Sequence, residues 1–520
     1  MKFTKKMLIC LLASLFLLSA CSTDDLISLN DDPTSTTEID WNYMFTLGIL
    51  LTAQPVVSYR ESIYFCSMMM QHTASTSSNE TWGGAGDKYF ERGGMYYSDC
   101  YFILKRLSEI IKQTGPDGKN PEMVNMHNAA RVIKVLAIQR STDFFGDIPY
   151  TEANKAHDES IFYPKFDAQQ DIYQGMLNEL KEAADGFDVN YDDKSSFSYQ
   201  DIIYNGDVTK WRKFAYSLML RLAMRISNVD ESTSRTYIEE AVNGGVFTSN
   251  EDNAWVPMAT GPDASDGSIN QNPLSKPFHM RETETLKLSN TLIDFLRDNN
   301  DPRLMIITSG IGPFKGSKIN DPALQKGMPN GYDVNSIREY EGITGDVDED
   351  NTYSGLNELM LDIDEPIMLH TYAEVELLMA EAAYKGWITG DPETHYNNGV
   401  RAAMQMYVVY DGSYTVSDAE VDTYLVAHPY DPVNALEMIG TQFWVATFLN
   451  SHESWANWRR TGYPVLISVD YPGNDTNGTI PRRLIFDLAT VSRNEENYQA
   501  AIQRMGPDEM TTRVWWDGGN

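Results

Sequence analysis

The stretch that most constrains the fold is Pro366 to Val408, PIMLHTYAEVELLMAEAAYKGWITGDPETHYNNGVRAAMQMYV. Tyr372, Val375, Met379 and Ala382 recur at the three-to-four spacing that lines one face of a helix, and Leu378 and Ala383 widen that face. Lys385-Gly386 ends the helix: a cation meets the negative end of the dipole and a glycine permits a left-handed exit. Asp391-Pro392-Glu393 opens a second helix with a capping side chain, a proline at the first helical position and an acid near the positive end. Two antiparallel helices of this length approach the ~34-residue tetratricopeptide unit. Such a unit cannot bury its apolar face alone, so the hairpin predicts neighbours of its own kind. Ala380, Ala382 and Ala383 let the facing helix come close. A helical hairpin in another all-α protein satisfies the same spacing.

The rest of the chain agrees with a mainly α fold. Helices are predicted from about Asp40 to Leu51, over 59–73, from Met95 to Gln113, from Glu122 to Phe145, and from Ala168 to Ala184 with Asp167 as its cap. Asp207 to Ser227 is amphipathic: Trp211, Phe214, Leu218, Leu222 and Ile226 form a buried stripe, opposite Lys210, Lys213, Ser217, Arg221 and Arg225. That cationic stripe reads as a solvated face or as intramolecular salt bridges. Further helices are predicted near 232–243, 286–297, 417–427, 434–450, 453–459 and 494–505. Few segments alternate with period two, so sheet is minor. Residues 247–365 are rich in Pro, Gly and Asn and read as a loop-rich insertion, the kind of segment that carries function on a rigid scaffold.

Lys2, Lys5 and Lys6 precede the apolar run MLICLLASLFLL, which is shorter than the roughly 20 residues of a stable span. Leu18-Ser19-Ala20-Cys21 follows and resembles a bacterial lipobox, in which the cysteine is acylated; a plain signal peptide cleaved near Ala20 is the other reading. The expected organisation is a signal over 1–20, a lipidated tether over 21–38 and one helical domain over 39–520. The formal net charge of −33 repels phosphate backbones and argues against nucleic acid as a partner. Cys66 and Cys100 remain in the body; export would permit a disulfide, but a chain of this size needs none, and two buried thiols are expected.

In order along the chain, the lipobox, PKFDAQQDIYQGMLNELKEA (Pro164 to Ala183), GDVTKWRKFAYSLMLRLAMRIS (Gly206 to Ser227), NDPRL (Asn300 to Leu304), the hairpin from Pro366, WANWRRTGYPVL (Trp455 to Leu466) and IPRRLIF (Ile480 to Phe486) resemble the SusD/RagB nutrient-binding outer-membrane lipoproteins of Bacteroidetes, in their SusD-like branch. The resemblance implies four tetratricopeptide-like helix pairs as a scaffold, with loops and further helices packed on one side. It implies a role as well: capture of oligosaccharide, or less often peptide, for a SusC-like TonB-dependent transporter, from a lipid anchor in the outer membrane. It places no ligand contact, because those vary within the family.

Candidate contacts therefore rest on chemistry. Aromatic faces cover the C–H face of a sugar while amides and charged groups bond its hydroxyls. The loop TASTSSNETWGGAGDKYFERGG (73–94) has that composition, with Asn79, Trp82, Asp87, Lys88 and Tyr89; Trp255, Tyr340 and Tyr353 are candidates for a second wall. Large aromatics are mostly buried, so any one of these rings is also accounted for by packing. Catalytic signals are weak: HExxH and GxSxG are missing, the eight histidines lack ligand spacing, and Gly312 to Lys318 lacks P-loop spacing and reads as a turn. Carboxylates are too abundant for a glycosidase pair to be recognised by sequence. Asp346, Asp348 and Asp350 imitate a calcium loop, but Asn351 stands where its glycine belongs and Asn357 where its bidentate Glu belongs, so a solvated acidic loop is expected. No catalytic residue, metal or cofactor is assigned.

Overall fold

The computed structural model describes residues 41–53, 62–77, 89, 95–191, 197–260, 269–275 and 286–519. Its longer helices are α1 (Trp41–Ala53), α2 (Met95–Thr114), α3 (Val124–Phe145), α4 (Gln169–Gly186), α5 (Val208–Arg225), α6 (Glu231–Gly244), α7 (Asn290–Asp298), α8 (Tyr372–Tyr384), α9 (Pro392–Gln405), α10 (Asp418–Ala427), α11 (Ala435–Ala446), α12 (Ser451–Thr461) and α13 (Glu495–Met505). Six short strands, β1 (Thr73–Ser75), β2 (Ala254–Val256), β3 (Leu286–Leu288), β4 (Thr308–Ile311), β5 (Ser354–Leu356) and β6 (Ile367–His370), form three antiparallel ladders, β1–β3, β2–β6 and β4–β5. The fold is mainly α, as the periodicity predicts. Sequence neighbours pack as pairs, α2 on α3, α4 on α5, α8 on α9 and α11 on α12, and the pairs join through α3–α4, α5–α8 and α8–α11.

The hairpin forms as its residues dictate. Thr371 and Glu374 make a reciprocal capping box on α8, Gly386 takes φ +71°, and Asp391 caps α9 from just before Pro392. The two helices approach closely at Gly399, a position the apolar spacing does not single out. A Cβ there would lie 2.7 Å from Leu377 Cγ and 3.2 Å from the Leu377 nitrogen. Gly399→Leu is expected to lower the unfolding free energy by about 1–3 kcal/mol by overpacking the hairpin. Urea unfolding reads this; an unshifted midpoint would show that the two helices have room to part.

The motif GDVTKW has a local explanation. Gly206 takes φ +81°, Asp207 accepts hydrogen bonds from the Thr209 and Lys210 amides, and the buried Trp211 donates its indole N–H to Asp201 at 2.7 Å. The apolar stripe of α5 is buried as expected. Its cationic stripe is not a solvated face. Ser217, Arg221 and Arg225 are buried, and the arginines take the salt-bridge alternative with Glu374, Glu453 and Asp143.

Other expectations need correction. Asp167 does not cap α4. Its carboxylate accepts from the Tyr150 and Thr151 amides and so ties down the preceding turn, while Asp147 accepts from the Gln169 amide. The region 59–73 is a short π turn (Ser62–Cys66) and a single helical turn (Ser67–Met69) rather than one helix, with Met68, Met69 and Met70 in the core. The expected helix from Leu286 begins as β3 and turns helical only at Asn290. Cys66 and Cys100, by contrast, are buried thiols and not a disulfide, as expected. Cys21 and the tether lie outside the described residues, and among those described no helix is long and apolar enough to cross a membrane.

Candidate ligand-binding face

The aromatic loop singled out in the sequence departs from β1, which lies on β3 in the register Thr73–Leu288. Just beyond the strand, the Thr76 hydroxyl donates to Glu349. Asn79, Trp82, Asp87 and Lys88 lie outside the described residues. Tyr89, near the loop's other end, is described and is only 2% exposed. Its carbonyl accepts from the Asp475 amide at 2.8 Å and its phenol oxygen from the Val469 amide at 3.1 Å. Tyr89 is therefore an anchor and not an exposed wall. One flank of the loop is pinned beside Glu349, the other to the segment 469–475.

Those two anchoring segments meet a cluster of tyrosines. Tyr353 is fully buried among Ala74, Met328 and Ile337, with Tyr332 and Val347 against the cluster. This corrects its expected place in an open wall. The reason is chemical: its phenol donates to Glu341 at 2.7 Å, and Lys326 pairs with the same carboxylate at 2.7 Å, so the hydroxyl is satisfied while the ring stays dry. Burial alone would raise Glu341, but Lys326 and the Tyr353 phenol prevail and hold it below the usual carboxylate range. Tyr340, by contrast, is 50% exposed, with its ring 4.8 Å from that of Tyr332. Beside this ring pair, Asp333 is held at about 2, first by the Tyr471 phenol and then by the Ser336 and Asn335 amides. A Cβ on Gly331 would touch Val469, so the anchor of the loop and this ledge are neighbours.

A family model described as "starch-binding associating with outer membrane" matches residues 33–487. The chain belongs to the SusD-like family. Among solved structures, this SusD-like chain is similar to a chitin-binding protein at 32% identity and a TM-score of 0.78, over 92% of this chain and 100% of that one. It is also similar to a Bacteroidetes SusD-like protein at 26% identity and a TM-score of 0.77, with the same coverage. A SusD homolog from Bacteroides uniformis, 22% identical with a TM-score of 0.72, covers 92% of this chain and 100% of its own and shares the fold. No curated protein matches the chain.

Within the SusD-like scaffold, the structure brings Tyr340, Tyr353 and the Tyr89 anchor to one neighbourhood and leaves Trp255 in another. Trp255 is half-buried in the β2–β6 ladder, edge-on to Tyr410 with ring centres 5.8 Å apart. The three carboxylates of the calcium-like loop are engaged separately: Asp346 by Arg338, Asp348 by the Asn351 amide, Asp350 by Lys287. Among the described residues no group of three or more His, Cys, Asp or Glu is placed to hold a metal ion. The reading from composition missed Tyr471 and Asp333 and gave Tyr332 no role. Their partners lie about 140 residues apart in the chain, and no local pattern announces such a pairing.

Proposed function

We propose that this SusD-like protein holds glycan at the cell surface and hands it to a SusC-like TonB-dependent transporter, making and breaking no bond. It is tethered through lipid on Cys21 and the linker 21–38, and residues 39–520 act as one binding domain. The observation that carries this reading is the half-exposed Tyr332–Tyr340 ring pair, set beside fixed carboxylates and between the anchors of the Trp82 loop. Rings supply the apolar face, and Asp333, Glu341, Lys326 and the loop's Asn79, Asp87 and Lys88 supply polar partners for hydroxyls. The starch-binding description of the family and the chitin-binding relative point to the same class of ligand.

Affinity electrophoresis and calorimetry against a polysaccharide panel that includes starch and chitin fragments test the proposal. Saturable binding to at least one glycan, with no new reducing ends, is the expected result. Binding to a peptide mixture and to no glycan would replace it with peptide capture of the RagB kind. New reducing ends would make the protein a surface glycoside hydrolase.

A further inference from the structure

The turn Gly312 to Lys318, set aside in the sequence as a failed phosphate loop, walls a cleft of about 700 Å³ beside β4 and β5. That volume lies within the range of small-molecule sites. The wall is fixed from both ends. Ile311 and Ile319 bridge across the turn, and Gly310 is required at φ +101° because a Cβ there would lie 2.5 Å from the Ile319 carbonyl oxygen. Glu358 clamps the turn by pairing with Lys318 at 2.7 Å and accepting from the Lys315 amide at 2.8 Å. The facing wall is equally set. Asn357 donates to the Ile306 carbonyl at 2.6 Å and to the Tyr414 phenol oxygen at 2.8 Å, which leaves the phenol hydrogen to donate into the cleft. Ser309 donates its hydroxyl hydrogen to the Leu356 carbonyl and so leaves its oxygen as an acceptor toward the cleft, while the buried Thr308 donates to the Gly355 carbonyl and accepts from the Gly310 amide, fixing the strand behind it. Leu359, 50% exposed, adds an apolar surface.

We infer that this cleft is a second glycan subsite, separate from the ring ledge and taking a neutral sugar unit of the same chain; the inference rests on the glycan-binding reading above. Charge decides the class. The formal charges lining it are Lys315 and Lys318 against Glu358 and Asp362, two of each sign, and Lys318 is already paired. The lining side chains by themselves thus select neither an anion nor a cation. Fixed neutral donors and acceptors around an aromatic ring suit a polyhydroxylated ligand. Position ties the two sites together. Tyr353 in the ledge cluster and Asn357 in the cleft flank the same strand, β5, four residues apart. At about 3.3 Å per residue the two ends of this strand lie roughly 13 Å apart, a span that a long oligosaccharide covers and a short one does not.

Calorimetry with malto- and chito-oligosaccharides of increasing length tests this on the wild-type chain, Ser309→Trp, which fills the cleft, and Tyr414→Phe, which removes only the hydroxyl. For the longest oligosaccharides, Ser309→Trp is expected to weaken binding about tenfold and Tyr414→Phe about threefold. The shortest that bind are expected to be unaffected. Should Ser309→Trp fail to fold, Tyr414→Phe and Leu359→Arg carry the same comparison. Wild-type affinity at every length in folded cleft variants would overturn the second subsite and leave the ledge standing. A wild-type chain that binds no oligosaccharide of either series or of the wider panel would overturn both.

Discussion

Glu453→Gln is expected to lower the unfolding free energy by about 3–5 kcal/mol, the range for removing one partner from a buried ion pair. Glu453 is fully buried at the start of α12. It pairs with Arg225 at 2.5 Å, lies 3.5 Å from Arg221 and accepts from Gln139 at 2.8 Å. Arg225 also meets Asp143 at 2.8 Å, and Arg221 meets Glu374 at 2.8 Å. Arg459 donates to the Asp143 carbonyl at 2.7 Å and lies 3.6 Å over the Trp455 ring. The cluster thus holds three guanidiniums, Arg221, Arg225 and Arg459, against three carboxylates, Asp143, Glu374 and Glu453. The nearby His370 and His452 are pushed down by burial and do not upset that balance at neutral pH. The amide keeps the shape and removes one negative charge from a fully buried site. Lys112→Ala, in an exposed pair with Asp158, is the control and should leave unfolding unchanged. A loss below about 1 kcal/mol for Glu453→Gln would mean that the cluster is not charge-balanced as described.

The same residues set the acid limit. Burial alone would raise Glu381 on α8, but Arg460, paired at 2.6 Å through both nitrogens, and Lys385 hold it at about 2 against an ordinary 4.5. Glu374 and Glu453 are lowered in the same manner by Arg221, and Glu453 by Arg225 as well. A carboxylate with a depressed folded value contributes stability that is complete above its unfolded value and is lost as pH falls through the folded one. The urea midpoint should therefore begin to fall below about pH 6.5, where the buried neutral His72, His370 and His452 resist protonation, and go on falling between 4.5 and about 2 as the paired carboxylates are protonated. It should fall less steeply in Glu453→Gln, which has one such group fewer.

These charges explain what the sequence conveyed and what it withheld. Apolar spacing, caps and glycines placed α5, the end of α8 and the start of α9 within a residue or two, because local chemistry decides where a helix starts and stops; the hairpin's first residues, Ile367–His370, form β6 instead of helix. Periodicity did not show that Glu374, Glu376 and Glu381 on α8 are buried, since their partners come from elsewhere: Arg221 from α5, His395 from α9, Arg460 from α12. The motifs that carried the family resemblance turn out to contain the core arginines. Arg221 and Arg225 lie in GDVTKWRKFAYSLMLRLAMRIS, Arg303 in NDPRL paired with Asp301 at 2.6 Å, Arg459 and Arg460 in WANWRR, and Arg483 in IPRRLIF paired with Asp508 at 2.8 Å. Those motifs specify the scaffold and say nothing of the ligand. The ledge was only half readable for the opposite reason. Tyr340 and Tyr353 have the same composition around them, and only the distant Ala74 and Met328 decide which ring is buried.

Tyr340→Ala is expected to weaken glycan binding about tenfold, with a melting temperature close to the wild type. The ring is half-exposed, so its removal opens no cavity, while losing the contact of one ring face with a sugar costs on the order of 1–1.5 kcal/mol. Tyr353→Phe should do the reverse. It takes a buried hydrogen bond from Glu341, lowers stability by about 1 kcal/mol, and leaves affinity for glycan as it was, because Lys326 still holds the carboxylate in place. Asp333 and Glu341 should add no pH dependence to binding between pH 5 and 8, since Asp333 titrates at about 2 and Glu341 below its usual range. Calorimetry and thermal unfolding on the two variants separate the rings cleanly. If Tyr340→Ala binds like the wild type while Tyr353→Phe loses affinity, the ledge is not where sugar rests, and capture belongs to the Trp82 loop alone.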